Sequence, residues 1–279
     1  VAGVDGKTAV YGILGNPVNH SLSPLMQNAA FAALGENSIY LPFLVEDIGD
    51  AVKGVRALNI KGVSVTIPHK ETIIPFLDEI DPVALKIGAV NTVQVVVKGK
   101  GRILRGSNSD WVGANRALTG HIDLAGQTVI LLGAGGSARA IAFGLQEAGA
   151  EVLLCSRTAA RGRKLAADIG CAWHSLDEVD RLPGTVLVNA TSVGMAPDIG
   201  ETLVARKNLA RFAVVMDIVY APRETRLLRE AGEAGCRVVH GLEMLLYQGV
   251  TQFELWTGLA APVEVMRAGL LAATADDSR

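Results

Sequence analysis

Short apolar runs rich in β-branched residues alternate along this chain with segments whose apolar positions recur every three to four residues. The first pattern predicts buried strands and the second amphipathic helices. In the second half, strands are expected at 128–132, 151–155, 185–190, 213–218 and 237–239, with helices at 137–148, 159–169 and 223–232 between them. That alternation predicts a doubly wound parallel sheet with right-handed crossovers. The first half predicts a second α/β region, with strands at 8–14, 38–45, 62–67, 93–97 and 102–104. The last two flank a hairpin turn at 98–101, and helices are expected at 24–34, 48–58 and, briefly, 70–77. Leu242, Leu246, Gly249, Phe253 and Trp256 mark one face of a later helix, and another follows Pro262. The resulting division is 1–110, 111–240 and 241–279, the last being helices that return to the first domain. The polar tail from Thr274 to Arg279 is expected to fray.

One glycine-rich stretch gives the second region its chemistry. Gly133, Ala134, Gly135, Gly136, Ser137 and Ala138 follow a strand and open a helix whose inward face is Ala138, Ile141, Ala142, Leu145 and Ala148. In that setting G-x-G-x-x-A is a dinucleotide fingerprint: backbone N–H groups at a helix N-terminus receive the pyrophosphate, and glycine lets the chain approach it. The fold expected is a Rossmann-type domain. The next strand ends in Ser156, Arg157 and Thr158, with Arg161 and Arg163 close behind. An NAD site usually carries an acidic residue there, and the nearby Glu151 sits at the wrong end of the strand. Hydroxyls and guanidinium forks suit a 2′-phosphate, so the expected cofactor is NADP.

Bulk properties narrow the setting. A chain of 279 residues with 49 % hydrophobic content can bury a sizeable core, and it contains no apolar run of the ~20 residues that span a bilayer. The first seven residues carry no signal-peptide pattern, and the start at Val1 rather than Met is compatible with a segment upstream. A net charge of −2 with dispersed signs predicts neither a nucleic-acid nor a membrane partner. Cys155, Cys171 and Cys236 read as buried reduced thiols of a cytoplasmic protein, and the five histidines show no metal-ligand spacing.

Polar clusters stand at the ends of apolar strands in the first region, where open α/β sheets bind ligands. The loop GNPVNHSLSP at 15–24 carries Ser21 and Ser23; GVSVTIPHK at 62–70 carries Ser64 and Thr66 and throws Lys70 beyond its proline. GAVNT at 88–92 supplies Asn91, and GSNSDW at 106–111 supplies Asp110. Ser23 and Asp110 read equally well as helix N-caps, Lys70 as a solvated charge and Asn91 as a turn residue. Their number and shared placement favour a site.

With these motifs in order, the chain resembles the shikimate dehydrogenase family over nearly its whole length. The substrate loop, lysine strand, asparagine turn, aspartate segment and GAGGSARA/SRTAAR nucleotide site all have counterparts, as do NATSVGM, DIVYAP and LLYQGVTQFELWTG. The resemblance implies NADP-linked, reversible oxidation of the shikimate 3-hydroxyl to 3-dehydroshikimate, in a cleft between two domains. It makes Lys70 and Asp110 the acid/base pair. It gives Ser21, Ser23, Ser64, Thr66, Asn91, Tyr220 and Gln248 to the substrate. The fingerprint, Ser156, Arg157, Thr158 and Arg161 go to NADP, with Thr191, Ile218 and Gly241 at the strand ends bordering it. It implies no metal, and a monomer or homodimer.

Four positions depart from the family's usual residues: Ser64 replaces a common Asn, Ser109 a common Thr, Trp111 a frequent Gly, and Ser156 a common Asn. The nearest rival is a quinate/shikimate dehydrogenase of broader substrate or cofactor range. A methylenetetrahydrofolate or short-chain dehydrogenase would carry Tyr-x-x-x-Lys, which is absent. A non-catalytic NADP sensor would have no need to retain both Lys70 and Asp110.

Overall fold

The computed structural model describes residues 3–99 and 101–274. Its elements alternate as β1 (Ala9–Gly15), α1 (Ser23–Leu34), β2 (Ser38–Leu44), α2 (Ile48–Ala57), β3 (Gly62–Val65), β4 (Glu79–Ile80), α3 (Pro82–Ile87), β5 (Thr92–Lys98) and β6 (Gly101–Ser107). They continue as α4 (Asp110–Thr119), β7 (Thr128–Leu132), α5 (Gly136–Glu147), β8 (Glu151–Ser156), α6 (Ala159–Ile169), β9 (Ala172–Ser175), β10 (Val186–Asn189), β11 (Val214–Asp217), α7 (Arg226–Glu233), β12 (Arg237–Val239), α8 (Gly241–Thr257) and α9 (Val263–Ala273).

Two units emerge: Val1–Ser109 with Gln248–Ala273, and Asp110–Tyr247 with Thr274–Arg279. The first unit is built on a mixed sheet in the order β2-β1-β3-β5-β6-β4. β1 runs parallel to β2 and β3, and β5 antiparallel to β3 and β6. One core cluster gathers Leu14, Val52, Val63, Val65, Ile73, Val93 and Leu104. Elsewhere in this unit Tyr11 meets Phe31 and Trp256, and Phe31 meets Phe253, with ring centroids 5.3–5.5 Å apart. Aromatic burial of this kind, from α8, anchors the C-terminal segment to the first unit.

The second unit carries a parallel sheet in the order β12-β11-β10-β7-β8-β9. Its central strands are nearly continuous apolar runs, because both faces are covered. Val129, Leu131, Val152, Leu154, Val186 and Val188 serve one core cluster, while Ile130, Leu132, Leu153, Leu187 and Val215 serve the other.

The unit boundaries differ from those expected. Asp110 opens α4 and belongs with the second unit, and the division near the C-terminus falls inside α8, between Tyr247 and Gln248. The first turns of α8 stay with the second unit because Met244 is buried in its core, and the Arg116 guanidinium lies 4.4 Å over the Tyr247 ring. The helix expected at 70–77 is instead a turn followed by a 3-10 segment, Ile74–Phe76. Pro75, lacking an N–H, blocks an α-helix through that stretch. β3 stops at Val65, ahead of Pro68. Thr274, expected to fray, is buried, and residues 275–279 lie outside the described residues. The hairpin ladder closes at Lys98 and Gly101, with Gly99 at φ 61; Lys100 lies outside the described residues. No described helix is long and apolar enough to cross a membrane.

Candidate active site

Hydrogen bonds lace together the strand ends of the first unit. Thr66 N donates to Leu14 O (2.9 Å), Val65 N to Asn91 O (2.8 Å) and Val90 N to Lys70 O (2.7 Å). The backbones of Thr66, Lys70 and Asn91 are thereby held in one group beyond β1 and β3. His69 is buried beside them with Nε2 2.9 Å from Val45 O, which makes it a structural tie. Lys70 is half-buried, as is Thr66.

Ser23 is buried and is the first residue of α1, whose N-cap is Leu22 with no side-chain capping bond. The Ser23 N–H instead donates to Ser21 Oγ (3.3 Å). The capping alternative for Ser23 is thus removed. Gln248, also buried, stands on α8 one residue before Gly249, whose carbonyl accepts from Gln27 Nε2 (3.0 Å).

Ser64 is tied into the first unit. Its hydroxyl accepts from the Tyr40 phenol (2.6 Å) and donates to Gln252 Oε1 (2.8 Å), so its only hydrogen is committed inside the unit. Neither Tyr40 nor Gln252 was singled out from sequence. The signal for Gln252 was present: it follows Gln248 by four positions, on the same face of α8.

In the second unit, β7 runs into Gly133, at φ 122, where a Cβ would stand 2.8 Å from Ala190 O. Only glycine fits both that torsion and that approach. Gly135 is the N-cap of α5, and no side chain caps the helix. An uncapped N-terminus behind a tight glycine turn presents partial positive charge and suits a pyrophosphate. Ala138 is fully buried and packs the helix on the sheet.

At the end of β8, Ser156 is buried; it accepts from Trp173 Nε1 (3.0 Å) and donates to Thr158 O (3.3 Å). A phosphate only accepts, so Ser156 would have to turn its hydrogen away from Thr158 O to meet one. Arg163 stacks on the Trp173 ring at 4.7 Å. Arg157, Thr158 and Arg161 are exposed, and the two guanidinium groups make no ion pair among the described residues. The donor set fits a 2′-phosphate beside the dinucleotide turn.

A buried polar group joins the ends of β10 and β11. Asp217 accepts from Asn189 Nδ2 (2.9 Å), Thr225 Oγ1 (2.7 Å) and Val219 N (3.0 Å). Asn189 Oδ1 in turn accepts from Thr191 N (3.1 Å) and Thr191 Oγ1 (2.7 Å). This pins the loops carrying Thr191, Ile218 and Tyr220. Gly241 abuts the same place, for a Cβ there would meet Ile218 O at 2.5 Å. Burial raises the Tyr220 phenol above its ordinary value.

Burial also pushes the Asp217 carboxyl up to about 6, against the three hydrogen bonds that favour its ionised form. The folded state therefore prefers the neutral acid. Its stabilising contribution is full below about pH 4 and is lost as pH rises through about 6. Asp217→Asn should then gain stability relative to wild type between about pH 4.5 and 7.5, by up to about 3 kcal/mol. Urea unfolding of both proteins at the two pH values tests this, and a difference independent of pH would refute it.

Known proteins carry the same plan. A family model described as the shikimate dehydrogenase substrate binding domain matches residues 13–93, and one described as the shikimate 5′-dehydrogenase C-terminal domain matches residues 241–271. The shikimate dehydrogenase (NADP(+)) of Pyrococcus abyssi is 46% identical over 260 residues, covering 92% of this chain and 96% of that protein. The crystal structure of shikimate 5-dehydrogenase from Thermus thermophilus, in complex with NADP(H) and shikimate, matches with a TM-score of 0.86 at 39% identity, covering 95% of this chain and 99% of that one. Quinate dehydrogenase from Corynebacterium glutamicum, in complex with NAD, gives a TM-score of 0.87 at 28% identity, over 95% and 99% of the two chains. With a likeness of this extent joined to the substrate-loop, lysine-strand and glycine-turn residues described above, the chain belongs to the shikimate dehydrogenase family.

Proposed function

We propose that this protein catalyses the reversible, NADP-dependent interconversion of shikimate and 3-dehydroshikimate, in the route to aromatic amino acids. The observation that carries this reading is 46% identity to an NADP-linked shikimate dehydrogenase across 92% of the chain. Two exposed arginines, without ion-pair partners among the described residues, stand beside the glycine turn and support the choice of NADP over NAD.

When bound, NADP takes the hydride from the carbon that bears the substrate hydroxyl. The protein's part is to hold the substrate and move the proton. Lys70 takes the hydroxyl proton during oxidation and returns it to the forming alkoxide during reduction, where charge develops on oxygen. Asp110 orients that exchange through a hydrogen bond to the reacting hydroxyl. Ser21, Ser23, Thr66, Asn91 and Gln248 bind the carboxylate and remaining hydroxyls, with Tyr220 at their border. Ser64, whose hydrogen is committed to Gln252, keeps one lone pair with which to accept from a substrate hydroxyl. The α5 N-terminus, Arg157, Thr158 and Arg161 hold the cofactor's phosphates, while Thr191, Ile218 and Gly241 flank it. Most substrate ligands stand on the first unit and the cofactor ligands on the second, with Asp110 and Tyr220 serving the substrate from the second. The net charge of −2 supports a reading without a nucleic-acid or membrane partner, and three free cysteines support a cytoplasmic setting.

Steady-state rates with shikimate and quinate, each with NADP and NAD, test the reading by absorbance at 340 nm. Shikimate with NADP should give the highest kcat/KM. A higher value for quinate with NAD would move the chain to the quinate-dehydrogenase branch, to which its fold is also similar.

Ser23→Ala separates binding from capping. With no capping bond to lose, only a side-chain bond to the Tyr40 phenol, the variant should lose about 1 kcal/mol of stability while KM for shikimate rises by about ten-fold. A lowered Tm with unchanged KM would make Ser23 structural.

A further inference from the structure

Main-chain groups fix most donors and acceptors of the buried polar group beside Asn91. A carbonyl oxygen only accepts, so Gln252 must turn Nε2 toward Asn91 O (3.2 Å), and the same nitrogen reaches Thr92 Oγ1 (2.9 Å). Gln252 Oε1 then faces Ser64 Oγ (2.8 Å), which must donate to it and accept from Tyr40 (2.6 Å). On the other side, Thr92 Oγ1 accepts from Gln252 and so spends its hydrogen on Asn91 Oδ1 (2.7 Å). The Ser109 N–H reaches that same oxygen (2.8 Å), and Asn91 Nδ2 faces Ser109 Oγ (3.0 Å).

Two main-chain groups set these directions: Asn91 O orients the Gln252 amide, and the Ser109 N–H, with Thr92, orients the Asn91 amide, while in the Thr92–Ser109 Oγ contact (3.3 Å) either hydroxyl can donate. Flipping the Gln252 amide would set oxygen against oxygen at Asn91. It would also turn the Thr92 hydroxyl back toward Gln252 and take its hydrogen from Asn91 Oδ1. Gln252 is 1% exposed and Thr92 fully buried, so no bulk water can restore a lost bond.

We propose that Gln252 is a positioning residue for the substrate site. Acting through Thr92, and together with the Ser109 N–H, it holds the Asn91 amide with Oδ1 turned into the protein and Nδ2 as its donor end. Asn91 is thereby matched to oxygen acceptors, the hydroxyl and carboxylate oxygens of a polyhydroxylated acid, and matched poorly to ligands that can only donate. This rests on the reading of Asn91 as a substrate ligand.

The test compares Gln252→Met, Thr92→Val, their double variant and Asn91→Ala in the full-length enzyme. Gln252→Met keeps length and apolar bulk while removing the amide; Thr92→Val removes only the relay and leaves Gln252 bonded to Ser64. Readouts are KM and kcat for shikimate at saturating NADP, the Kd for NADP, and Tm. Each single variant should raise KM by about ten-fold, with kcat within about three-fold of wild type and NADP affinity unchanged. The double variant should add less than about two-fold to either single one, because both act on the same Asn91 bond. If Asn91→Ala raises KM while Gln252→Met and Thr92→Val lower Tm alone, Gln252 is structural and the proposal falls. If Asn91→Ala itself leaves KM unchanged, the assignment of Asn91 to the substrate fails first. Should Gln252→Met not fold, Thr92→Val carries the same comparison.

Discussion

Replacing Lys70 with alanine should lower kcat by about 10²–10⁴-fold, the range spanned by general acid–base catalysis. The loss belongs to the transition state. As hydride arrives at a carbonyl carbon, its oxygen gains negative charge, and the group that supplies a proton there interacts most strongly at that moment. KM for shikimate should therefore move less than kcat. NADP affinity should stay near wild type, since Lys70 belongs to the first unit and the glycine turn to the second. Tm should fall by only a few degrees: Lys70 is half-buried, and its carbonyl bond to Val90 N is a main-chain feature that alanine preserves. Steady-state kinetics, NADP titration and thermal melting of one preparation check all three. A variant keeping more than about a tenth of wild-type kcat would lie outside the range and pass the proton-transfer role to Asp110 or a bound water.

Arg157→Leu should weaken NADP by about ten- to a hundred-fold while changing NAD by less than about three-fold. The two cofactors differ only at the 2′ position, so the ratio isolates a contact to that phosphate. Arg157 is exposed and has no ion pair among the described residues, so leucine breaks no internal bond. The wild-type preference for NADP should shrink as salt rises, because an exposed ionic contact is screened. Titrating both cofactors into both proteins gives the ratio directly. Equal losses for NADP and NAD would make the arginine a structural residue.

Much of this was legible in the chain. The runs at β7, β8, β10 and β11 are apolar on both faces and could only be central strands of a covered parallel sheet. Gly133 to Ala138 announced their ligand through spacing alone, because strand, tight turn and helix start are consecutive in sequence. The elements missed were the ten-residue α4 and several short ones, β9 among them. β4 spans two residues and α3 six, too little for periodicity to show, although Asp81 caps α3 with a bond to Val83 N (2.8 Å) and Gly88 ends it at φ 73.

The sequence by itself determined what local order can encode: which segments are strands, where the turns lie, and which residues stand at the strand ends. It could not say what those residues do with their hydrogens. The family resemblance gives Ser64 to the substrate, and Ser156 reads as a phosphate ligand from its hydroxyl at the end of β8. In the fold each spends its hydrogen inside its own unit, Ser64 on a glutamine 188 positions away and Ser156 on the nearby Thr158 carbonyl. Tyr40, Gln252 and Asp217 gained their roles by the same route, through partners brought together only by packing. Donor and acceptor direction depends on every neighbour of a buried group at once, and those neighbours are chosen by the tertiary structure.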